Sequence, residues 1–477
     1  METKTLDEFS SRHLLVIFDC CFAGSFRWAS TRDINFIPQR LYDSQFKRYL
    51  SGNAWQALTS AAHDERAADL SPVRDQGSQQ ETFQGHSPFA AALLRGLSGA
   101  ADSSRVGHEP DGVITATELY QYIFEELQPA TASSGQTPGI WPLRENNTGE
   151  FVFRSPVSEL NTLTDPPLND DNNPWLGLTP YSPAQRELFY GRQSVVDALL
   201  DRVVNENATS LLAIVGASGT GKSSVVKAGL LPLLANPPED LKQQIGKWSI
   251  VHCARLNAEP CVQLKQAVTK LDGSPTHHRQ LLLIDQFEEL YTQCPQQDQR
   301  AQFLADLRQT LHNRDKLIIV ITLRSDFESR PSRSDPLRDI WDDAKFLVPA
   351  FTRDDFRQVI EGPAKAKALF FDPYKLIDTL LDEIMSMPGA LPLLSFSLAE
   401  MYRCAQRRRA NGATDRTIRD EDYKATGGVI GALHERASKL YSEELDTTYR
   451  NTIRRVFMRM TSTDGSGYTR RRVLYTE

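Results

Sequence analysis

Apolar residues along this chain follow two patterns that predict different secondary structures. Short continuous runs such as LLAIV indicate buried strands, whereas apolar residues that recur every three or four positions indicate helices with one packed face. The predicted strands span residues 14–18, 150–153, 211–215, 248–253, 281–284 and 317–322. The predicted helices span residues 89–97, 117–127, 354–369, 374–386, 391–404 and 449–460, and residues 433–441 also have helical spacing.

The order of these elements predicts an α/β fold with several domains. Strands alternate with helices in residues 1–155, and residues 156–173, rich in Pro, Asn and Asp, are typical of an exposed linker. The alternation resumes in residues 174–350, which predicts a parallel sheet with crossover helices. Strand signals disappear beyond about residue 351, so we expect a helical domain at 351–426 and a further helical segment at 427–477.

Composition narrows the class of protein. The 477 residues are 40% apolar and 24% charged with a net charge of −7, which is typical of a globular chain and gives no reason to expect general nucleic-acid binding. The six cysteines are too sparse for a disulfide framework and lack the spacing of a zinc site. Apolar runs fall short of the ~20 residues that a membrane helix needs, and no secretory signal is evident. We therefore expect a cytoplasmic protein with no membrane partner.

The strand at 211–215 leads into a glycine-rich segment with the spacing of a phosphate-binding loop. Glycines let backbone N–H groups turn toward phosphates, the following helix presents its positive end, and a lysine adds a mobile charge near the terminal phosphates. Such a loop binds a nucleoside triphosphate, with Ser223 as a ligand of the accompanying Mg²⁺. The predicted nucleotide-binding residues here are Gly216, Ala217, Ser218, Gly219, Thr220, Gly221, Lys222, Ser223 and Ser224.

A second strand ends in carboxylates suited to the same chemistry. Asp285 follows the strand at 281–284, where it would bind Mg²⁺ at the carboxyl edge of the sheet. Glu288 and Glu289 follow on the next turn, and one of them, taken to be Glu288, would orient a water for attack on the terminal phosphate. A solvated pair of helix carboxylates is the alternative interpretation.

A third strand, at 317–322, is followed by a cation. Arg324 would contact the terminal phosphate or stabilise charge that develops during phosphoryl transfer. The alternative is an ordinary surface arginine. The order of loop, acidic strand and arginine strand favours the first interpretation.

These segments resemble a known family. The sequences NPWLGLTPY, LFYGR, GASGTGKSS, LLLIDQFEELYT, VITLRSDF and MPGALPLL are similar to successive signatures of the STAND class of signalling ATPases, over roughly residues 174–477. The resemblance implies a switch with a closed ADP-bound state and an ATP-bound state that assembles into homo-oligomers once a sensor domain is engaged.

The same resemblance implies further nucleotide contacts. Gly191 and Arg192 stand at the positions of a Gly-Arg pair, and Pro392 at that of a helical-domain proline, which in this family touch the base and sugar side of the nucleotide. Residues 427–477 resemble the start of a winged-helix domain that is cut before completion. Chains of this kind usually continue into a repeat sensor.

The amino-terminal part carries a separate candidate site. Cys20 and Cys21 follow the strand at 14–18 and precede a turn with Gly24, so that one of them is an exposed nucleophile or both are buried structural residues. The segments HLLVIFDCCFAGSF, ALTSAAHDERAAD, SPFAAALLRGLSGAAD and DGVITATELYQYI resemble the later half of bacterial caspase-like and metacaspase-like peptidases. The resemblance implies Cys21 as the nucleophile, and Asp19 and Asp64 as carboxylates that bind an Arg or Lys side chain of a protein substrate.

Two departures from that family affect the expected activity. The His-Ser pair after the cysteine is Phe22-Ala23 here, and the catalytic histidine of the family lies tens of residues upstream, whereas 20 residues precede Cys21. We therefore expect the first part of this domain to be missing and peptide cleavage to be severely impaired. His13 lies about 25 Å away along an extended chain, a poor substitute. His63 and His86 are the other histidines whose loops could approach the site.

The sequence thus predicts a cytoplasmic STAND-type ATPase switch fused to a caspase-like cysteine endopeptidase, with ATP-driven assembly that brings the effector domains together. The resemblance implies a setting in bacterial signalling, cell death or defence. One alternative is a pseudoprotease that docks partners while the ATPase switches. A second is an ordinary P-loop kinase or transport ATPase, against which the Gly191-Arg192 pair and the PGALPLL segment argue.

Overall fold

The computed structural model describes most of the chain, with gaps between the described segments. The described residues are 10–20, 41–61, 86–103, 110–127, 137–205, 209–238, 241–253, 255–256, 259–275, 277–385, 387, 389–410, 415–464 and 467–470. Within these segments, no helix has the length and apolar character needed to cross a membrane.

The amino-terminal unit, which ends at residue 154, combines short strands with helices. Strand β1 pairs in parallel with β2, β2 pairs antiparallel with β4, and β3 pairs antiparallel with β5. A π-helical turn, Gly96–Ala100, joins α2 to α3. The elements are β1 (His13–Phe18), α1 (Asp43–Ser51), β2 (Ala54–Thr59), α2 (Pro88–Arg95), α3 (Ala101–Ser103), β3 (Val113–Thr115), α4 (Ala116–Leu127), β4 (Gly139–Pro142) and β5 (Val152–Arg154).

The strand β2 is buried along its whole length although its sequence, AWQALT, is not continuously apolar. Gln56 is 3% exposed, and its polar atoms are satisfied inside the unit. Its Nε2 donates to Glu150 Oε2 at 3.2 Å, and its Oε1 accepts from the Phe151 backbone N at 2.8 Å. A buried polar side chain is stable when both its donor and its acceptor are paired. These bonds therefore allow Gln56 to be buried in β2, which is the middle strand of its sheet.

The central region is built on a five-stranded parallel sheet, called here the nucleotide sheet, with strand order β10-β6-β9-β8-β7. A 3₁₀ helix, Pro183–Leu188, precedes it, and a π-helical segment, Val225–Leu230, makes α6 continuous with α7. The elements are α5 (Gln193–Val204), β6 (Leu211–Gly216), α6 (Lys222–Ser224), α7 (Leu231–Ala235), α8 (Lys242–Ile245), β7 (Trp248–His252), α9 (Pro260–Asp272), β8 (Arg279–Ile284), α10 (Glu289–Thr292), α11 (Gln297–His312), β9 (Leu317–Arg324), α12 (Ser329–Ser332), α13 (Trp341–Ala344) and β10 (Lys345–Leu347).

The strands of the nucleotide sheet are covered on both faces, which explains their continuous apolar sequences. Successive residues of β6 alternate between two hydrophobic clusters: Leu211, Ala213 and Val215 pack on one face, and Leu212 and Ile214 on the other. Because the strands are parallel, their carboxyl ends meet at one edge. The predicted strands of this region are confirmed within about two residues, and β10 was not predicted.

The helical region follows at residues 351–470. Its elements are α14 (Arg353–Ala366), β11 (Phe370–Asp372), α15 (Lys375–Met385), α16 (Leu391–Ala410), β12 (Thr417–Arg419), α17 (Asp420–Ala425), α18 (Gly428–Lys439), α19 (Thr447–Met460), β13 (Thr461–Asp464) and β14 (Gly467–Arg470). The prediction that strands end near residue 351 is wrong, because β11 pairs in parallel with β12, and β13 pairs antiparallel with β14. Runs of three or four residues are too short to produce a periodic signal.

Helix α14 contacts the amino-terminal unit as well as the nucleotide sheet region. The Nε2 of Gln45, a 2% exposed residue on α1, donates to the Lys365 carbonyl oxygen at 2.7 Å. The Arg48 guanidinium lies 4.5 Å from the centre of the Phe370 ring. Between α1 and α14 lies a cavity of about 180 Å³, called here the interdomain cavity, which Glu361 also lines.

Candidate functional site

The loop between β6 and α6 turns at two glycines. Gly219 and Gly221 have φ values of +79° and +81°, which L side chains rarely adopt, so that glycine is required at both positions. Thr220 Oγ1 donates to the Ala217 carbonyl oxygen at 2.9 Å and holds the turn together. The helical run at 222–235 starts directly after the loop, and its first backbone N–H groups have no intrahelical partners. The loop therefore has the backbone geometry of an anion cradle.

Lys222 lies inside this loop. Its Nζ donates to the carbonyl oxygens of Gly216 at 2.9 Å and Ala217 at 2.7 Å. Burial lowers the pKa of Lys222, and the charge of Glu288 acts in the opposite direction. The ammonium group is thus held at the loop by two carbonyl groups, from which it can move to bound phosphates.

Asp285 is the centre of a hydrogen-bond network at the carboxyl edge of the sheet. Ser223 Oγ and Thr322 Oγ1 donate to Asp285 Oδ1 at 2.7 and 2.6 Å, and Lys227 Nζ donates to Oδ2 at 2.5 Å. Burial by itself would raise the pKa of Asp285, but the hydrogen bonds from Lys227, Thr322 and Ser223 outweigh it and lower the pKa below its usual value. Asp285 is therefore an anion at neutral pH.

The backbone turns sharply after Asp285. Gln286 has a φ of +58°, which is uncommon for a residue with a side chain, and its N–H donates to Thr322 Oγ1 at 2.8 Å. The next N–H, of Phe287, donates to the Thr322 carbonyl oxygen at 2.8 Å, and the Phe287 ring is fully buried. Thr322 thus fixes both the Asp285 carboxylate and the turn, and the turn brings Glu288 back toward the loop.

Glu288 and Glu289 have different surroundings. Glu288 lines the cavity described below, and its Oε2 accepts from the Arg324 backbone N at 3.4 Å. Burial raises the pKa of Glu288, and Lys222 and Arg324 act against that rise. Glu289 starts α10, where burial raises the pKa of its carboxyl group and the charge of Arg255 acts against that rise. Of the two predicted carboxylates, Glu288 is the one that lies among the loop, Lys222 and Arg324.

Arg324 is brought to the loop by strand register. The pairing of β6 with β9 places Arg324 opposite Gly216. Its Nε and Nη2 donate to the two carboxylate oxygens of Asp326 at 3.0 and 2.7 Å, and its guanidinium lies 5.8 Å from the centre of the Phe327 ring. A fork-shaped pair with Asp326 orients the guanidinium, so that Arg324 lines the cavity as a fixed cation.

The helical region covers the loop. A Cβ added to Gly219 would lie 2.8 Å from the Gly389 carbonyl oxygen and 3.2 Å from Pro392 Cδ, and one added to Gly221 would lie 3.4 Å from Leu391 Cδ2. The two backbones therefore approach as closely as glycine allows. The start of α16 forms a roof over the phosphate-binding loop.

A cavity of about 340 Å³, called here the nucleotide cavity, opens between the loop and the helical region. Residues 177–181 and 188–190 supply much of its apolar wall, together with Val359 and Pro363 of α14. The Tyr181 backbone N donates to Ser224 Oγ at 3.2 Å and ties this wall to the loop. Trp175, which is fully buried, anchors the segment through a hydrogen bond from its Nε1 to the Val359 carbonyl oxygen at 3.2 Å. The wall is suited to an aromatic base.

Arg192 lines this cavity, and Gly191 directly precedes it. Gly191 has a φ of +77°, and a Cβ there would lie 2.4 Å from the Asp355 carbonyl oxygen. Arg192 is 2% exposed, its Nη2 donates to the Pro349 carbonyl oxygen at 2.8 Å, and its guanidinium stacks 3.5 Å from the centre of the Phe351 ring. Its Nε has no hydrogen-bond partner among the described residues. Arg192 therefore retains a buried donor for a further acceptor.

The residues at the loop fit a nucleotide phosphate chain and Mg²⁺. Mg²⁺ prefers oxygen donors and is commonly held by one carboxylate, a hydroxyl, water and substrate phosphates. Ser223 Oγ and the Asp285 carboxylate supply the first two, 2.7 Å apart. The described residues contain no group of three or more His, Cys, Asp and Glu side chains that could hold a metal ion by themselves. The donor set thus suits a cation that arrives with a phosphate ligand.

Sequence reasoning missed two members of this site. Thr322 and Lys227 both hold Asp285, but Thr322 lies inside an apolar strand and Lys227 inside the helix that follows the loop. The spacing of Lys227, four residues after Ser223, places both on one helix face and is the signal that was available.

The amino-terminal candidate site lies at the carboxyl end of β1. Ser87 Oγ, at the start of α2, donates to Asp19 Oδ2 at 2.5 Å, and Ser60 Oγ, just after β2, donates to the Cys20 carbonyl oxygen at 3.4 Å. Cys20 is exposed. Asp19 is thus directed toward α2 by a hydroxyl group, at the edge where two parallel strands end.

Several predicted residues of this second site lie outside the described residues: Cys21, His63 and Asp64. His13 lies at the opposite, amino end of β1, where its Nε2 contacts the Gly52 carbonyl oxygen at 3.0 Å. His86 directly precedes Ser87, whose hydroxyl group donates to Asp19.

Comparison with protein families gives one match. The model described as Novel STAND NTPase 1 matches residues 174–477. This span includes the nucleotide sheet, the nucleotide cavity and the helical region. A search of curated proteins finds no match to this chain.

Solved structures that are similar to this chain include proteins from Aeropyrum pernix, Pyrobaculum aerophilum and Pyrococcus abyssi. The Aeropyrum pernix ORC1 protein in complex with DNA is 15% identical with a TM-score of 0.39, and the match covers 57% of this chain and 72% of that one. Cdc6p from Pyrobaculum aerophilum is 15% identical with a TM-score of 0.35, over 49% of this chain and 66% of that one. The Walker-type ATPase PABY2304 of Pyrococcus abyssi is 13% identical with a TM-score of 0.34, over 62% of this chain and 97% of that one.

Proposed function

This chain belongs to the Novel STAND NTPase 1 family, and on that premise we propose that it is a cytoplasmic switch that binds ATP or ADP with Mg²⁺, hydrolyses ATP and forms homo-oligomers in its ATP-bound state. Family membership makes the chain a STAND-type P-loop NTPase. The switch, the metal and the oligomer are the proposal.

One observation carries this proposal: the loop, the acidic strand and the arginine strand converge on a single cavity that the helical region also lines. Lys222, Ser223, Glu288, Arg324 and Pro392 all line the nucleotide cavity. Because the roof and the loop belong to different regions, a nucleotide between them contacts both. Its identity can therefore change how the helical region lies on the sheet.

Each residue has a defined task in this proposal. Lys222 and the backbone N–H groups of the loop bind the β- and γ-phosphates, and Arg324 stabilises the charge that develops on the γ-phosphate. Glu288 accepts a hydrogen bond from the attacking water and orients it. Ser223 and Asp285 would hold Mg²⁺, which neutralises phosphate charge when bound.

The base and sugar are proposed to lie against the apolar wall. Gly191 leaves room for the backbone of α14 at Asp355. Arg192 offers its unpaired Nε to the sugar or base. Pro392, at the start of α16, would contact the base from the opposite side. An aromatic base would fill this wall without a charged partner.

The test is the binding of a fluorescent ADP or ATP analogue to the full chain. Lys222→Ala should lose nucleotide retention, because two phosphates then lack their mobile cation, while the exposed Lys270→Ala should retain it. Particle size measured by light scattering should increase with ATP and not with ADP. Unchanged nucleotide retention in Lys222→Ala would refute the site.

The size measurement also separates the switch from an ordinary P-loop kinase or transport ATPase. Such an enzyme would bind and turn over ATP without a change in size. Nucleotide binding with a constant particle size would therefore support the assignment as an NTPase and refute the proposed switch.

We further propose that the amino-terminal unit is a caspase-like effector. The position of Asp19 at the carboxyl end of β1, held by Ser87, supports a role in binding an Arg or Lys side chain of a protein substrate. Cys21 would be the nucleophile, with Asp64 as a second substrate ligand. His13 is held at the far end of β1, whereas His86 directly precedes Ser87, the residue that contacts Asp19.

A fluorogenic peptide ending in arginine tests this second proposal, with and without ATP and Mg²⁺. Cleavage that is lost in Cys21→Ala identifies a working peptidase. No cleavage by a folded, ATP-binding sample identifies a pseudoprotease that docks partners instead.

A further inference from the structure

Lys227 makes the closest contact of the metal-binding carboxylate, yet it has no part in the nucleotide chemistry described above. Its Nζ lies 2.5 Å from Asp285 Oδ2, and the two side chains are 25% and 18% exposed. Lys227 and Ser223 are one helical turn apart, so both side chains reach Asp285 from the same helix face. This pair is thus a built, partly buried contact.

The two lysines of this helix point in different directions. Lys222 Nζ bonds to the loop carbonyl groups and lines the nucleotide cavity. Lys227 is not among the described residues that line this cavity, and its ammonium group is directed to the side of Asp285 away from Ser223. A direct contact between Lys227 and a phosphate is therefore not what this geometry favours.

The Asp285 carboxylate has both oxygens occupied. Oδ1 accepts from Ser223 and Thr322, and Oδ2 accepts from Lys227. Two of these partners are neutral hydroxyl groups, so Lys227 supplies the one full positive charge in this group of contacts. A divalent cation that approaches Ser223 and Asp285 meets a carboxylate whose charge is already balanced.

We propose that Lys227 is a positioning residue that acts through Asp285: it weakens the attraction of the site for a divalent cation, so that the metal binds only together with a nucleotide phosphate. The inference rests on the proposed nucleotide and metal site and adds the group that controls its metal affinity. The phosphate chain supplies the negative charge that Lys227 removes from Asp285. Without nucleotide, the lysine keeps the carboxylate paired and the metal is not held.

The experiment uses Mn²⁺ as the probe, added to the full chain loaded with ADP, and follows the free Mn²⁺ signal by electron paramagnetic resonance. Lys227→Met should tighten Mn²⁺ binding by about tenfold or more, because a unit positive charge close to the metal site is removed. Lys227→Arg keeps the charge and should bind Mn²⁺ as the original chain does. Lys270→Met removes an exposed charge elsewhere on the sheet region and should also leave Mn²⁺ affinity unchanged.

A second measurement separates this role from a phosphate contact. ADP affinity in the presence of a chelator should be equal in Lys227→Met and the original chain. A loss of metal-free ADP affinity would overturn the proposal, since Lys227 would then bind phosphate. Mn²⁺ affinity that is unchanged or weaker in Lys227→Met would overturn it as well.

Combining Lys227→Met with Asp285→Asn distinguishes an effect that acts through Asp285 from a folding defect in the lysine variant. Asparagine still accepts from Ser223 and Thr322, but its neutral amide has no charge for Lys227 to balance. The Mn²⁺ effect of Lys227→Met should shrink when it is combined with Asp285→Asn, and an equal effect in both backgrounds would refute action through Asp285. Failure of the original chain to bind ADP at all would refute the proposed function itself.

Discussion

Gly389 and Ser218 belong to different regions of the chain, yet a Cβ added to Gly389 would lie 3.0 Å from the Ser218 carbonyl oxygen. Gly389 also has a φ of +74°, so that both its backbone angle and its close contact depend on glycine. In the reciprocal direction, a Cβ added to Gly219 would lie 2.8 Å from the Gly389 carbonyl oxygen. The phosphate-binding loop and the roof above it are thus joined backbone to backbone.

Gly389→Ala should loosen this contact and speed the release of ADP. The methyl group forces the roof away from Ser218, in addition to the strain of about 1 kcal/mol for a side chain at positive φ. The measurement is the dissociation rate of a fluorescent ADP analogue. Gly246→Ala is the matched control, because Gly246 has a φ of +71° with nothing within 4 Å of an added Cβ. Equal release rates in the two variants would contradict the role of the contact.

Glu288→Gln should slow ATP hydrolysis by about a hundredfold or more while ATP binding is retained, because the amide no longer orients the attacking water as a carboxylate does. Glu289→Gln is the neighbouring control and should hydrolyse ATP at nearly the original rate. Single-turnover release of phosphate measures both. A larger loss in Glu289→Gln would reassign the role.

Asp285→Asn should reduce metal-dependent hydrolysis more than nucleotide binding. The amide keeps the hydrogen bonds from Ser223 and Thr322, but it loses the charge that attracts the cation, and a loss of about a hundredfold in hydrolysis is expected. ATP turnover as a function of Mg²⁺ concentration, beside ADP affinity in a chelator, checks this. A parallel loss of metal-free binding would indicate a disrupted loop.

We expect the stability of the amino-terminal unit to depend on pH through the buried carboxyl group of Glu118. Burial raises the pKa of this carboxyl group to about 8 from a usual value of 4.5. Between these values the folded state holds a proton that the unfolded state has lost, so stability falls as pH rises, by at most about 1.4 kcal/mol per pH unit. Urea unfolding of the unit, followed by pulse proteolysis at several pH values in this interval, measures the slope.

Glu118→Gln should flatten that slope. The Glu118 Oε2 accepts from Thr115 N at 2.8 Å and from Thr115 Oγ1 at 3.0 Å, and a glutamine carbonyl oxygen can accept both bonds without a charge. Glu125→Gln, an exposed change on the same helix, should keep the original pH dependence. An unchanged slope in Glu118→Gln would show that other groups set it.

The central strands could be predicted because both their faces are covered, which makes their sequences continuously apolar. The strand β2 could not, since Gln56 and Thr59 interrupt its apolar pattern and are buried with hydrogen-bond partners that lie 94 and 80 residues away in the sequence. The pairs β11–β12 and β13–β14 are too short for any periodic signal. Hydrogen bonds between paired segments, rather than a periodic apolar pattern, form these strands.

The candidate site divides in the same way. The loop and the three charged residues Asp285, Glu288 and Arg324 each follow a recognisable strand, and parallel pairing brings strand ends together. The contact of Lys227 with Asp285 depends on a side chain reaching from a helix to another strand. The approach of Gly389 to Ser218 depends on how two regions pack, which local sequence does not encode.

Helix α14 has a different neighbour on each side. Val359 and Pro363 face the nucleotide cavity, while Glu361 and Lys365 line the interdomain cavity against the amino-terminal unit. Helix α14 therefore separates the nucleotide cavity from the interdomain cavity. If α14 moves as a rigid helix, a shift that enlarges one cavity must narrow the other or break the hydrogen bond between Gln45 and the Lys365 carbonyl oxygen.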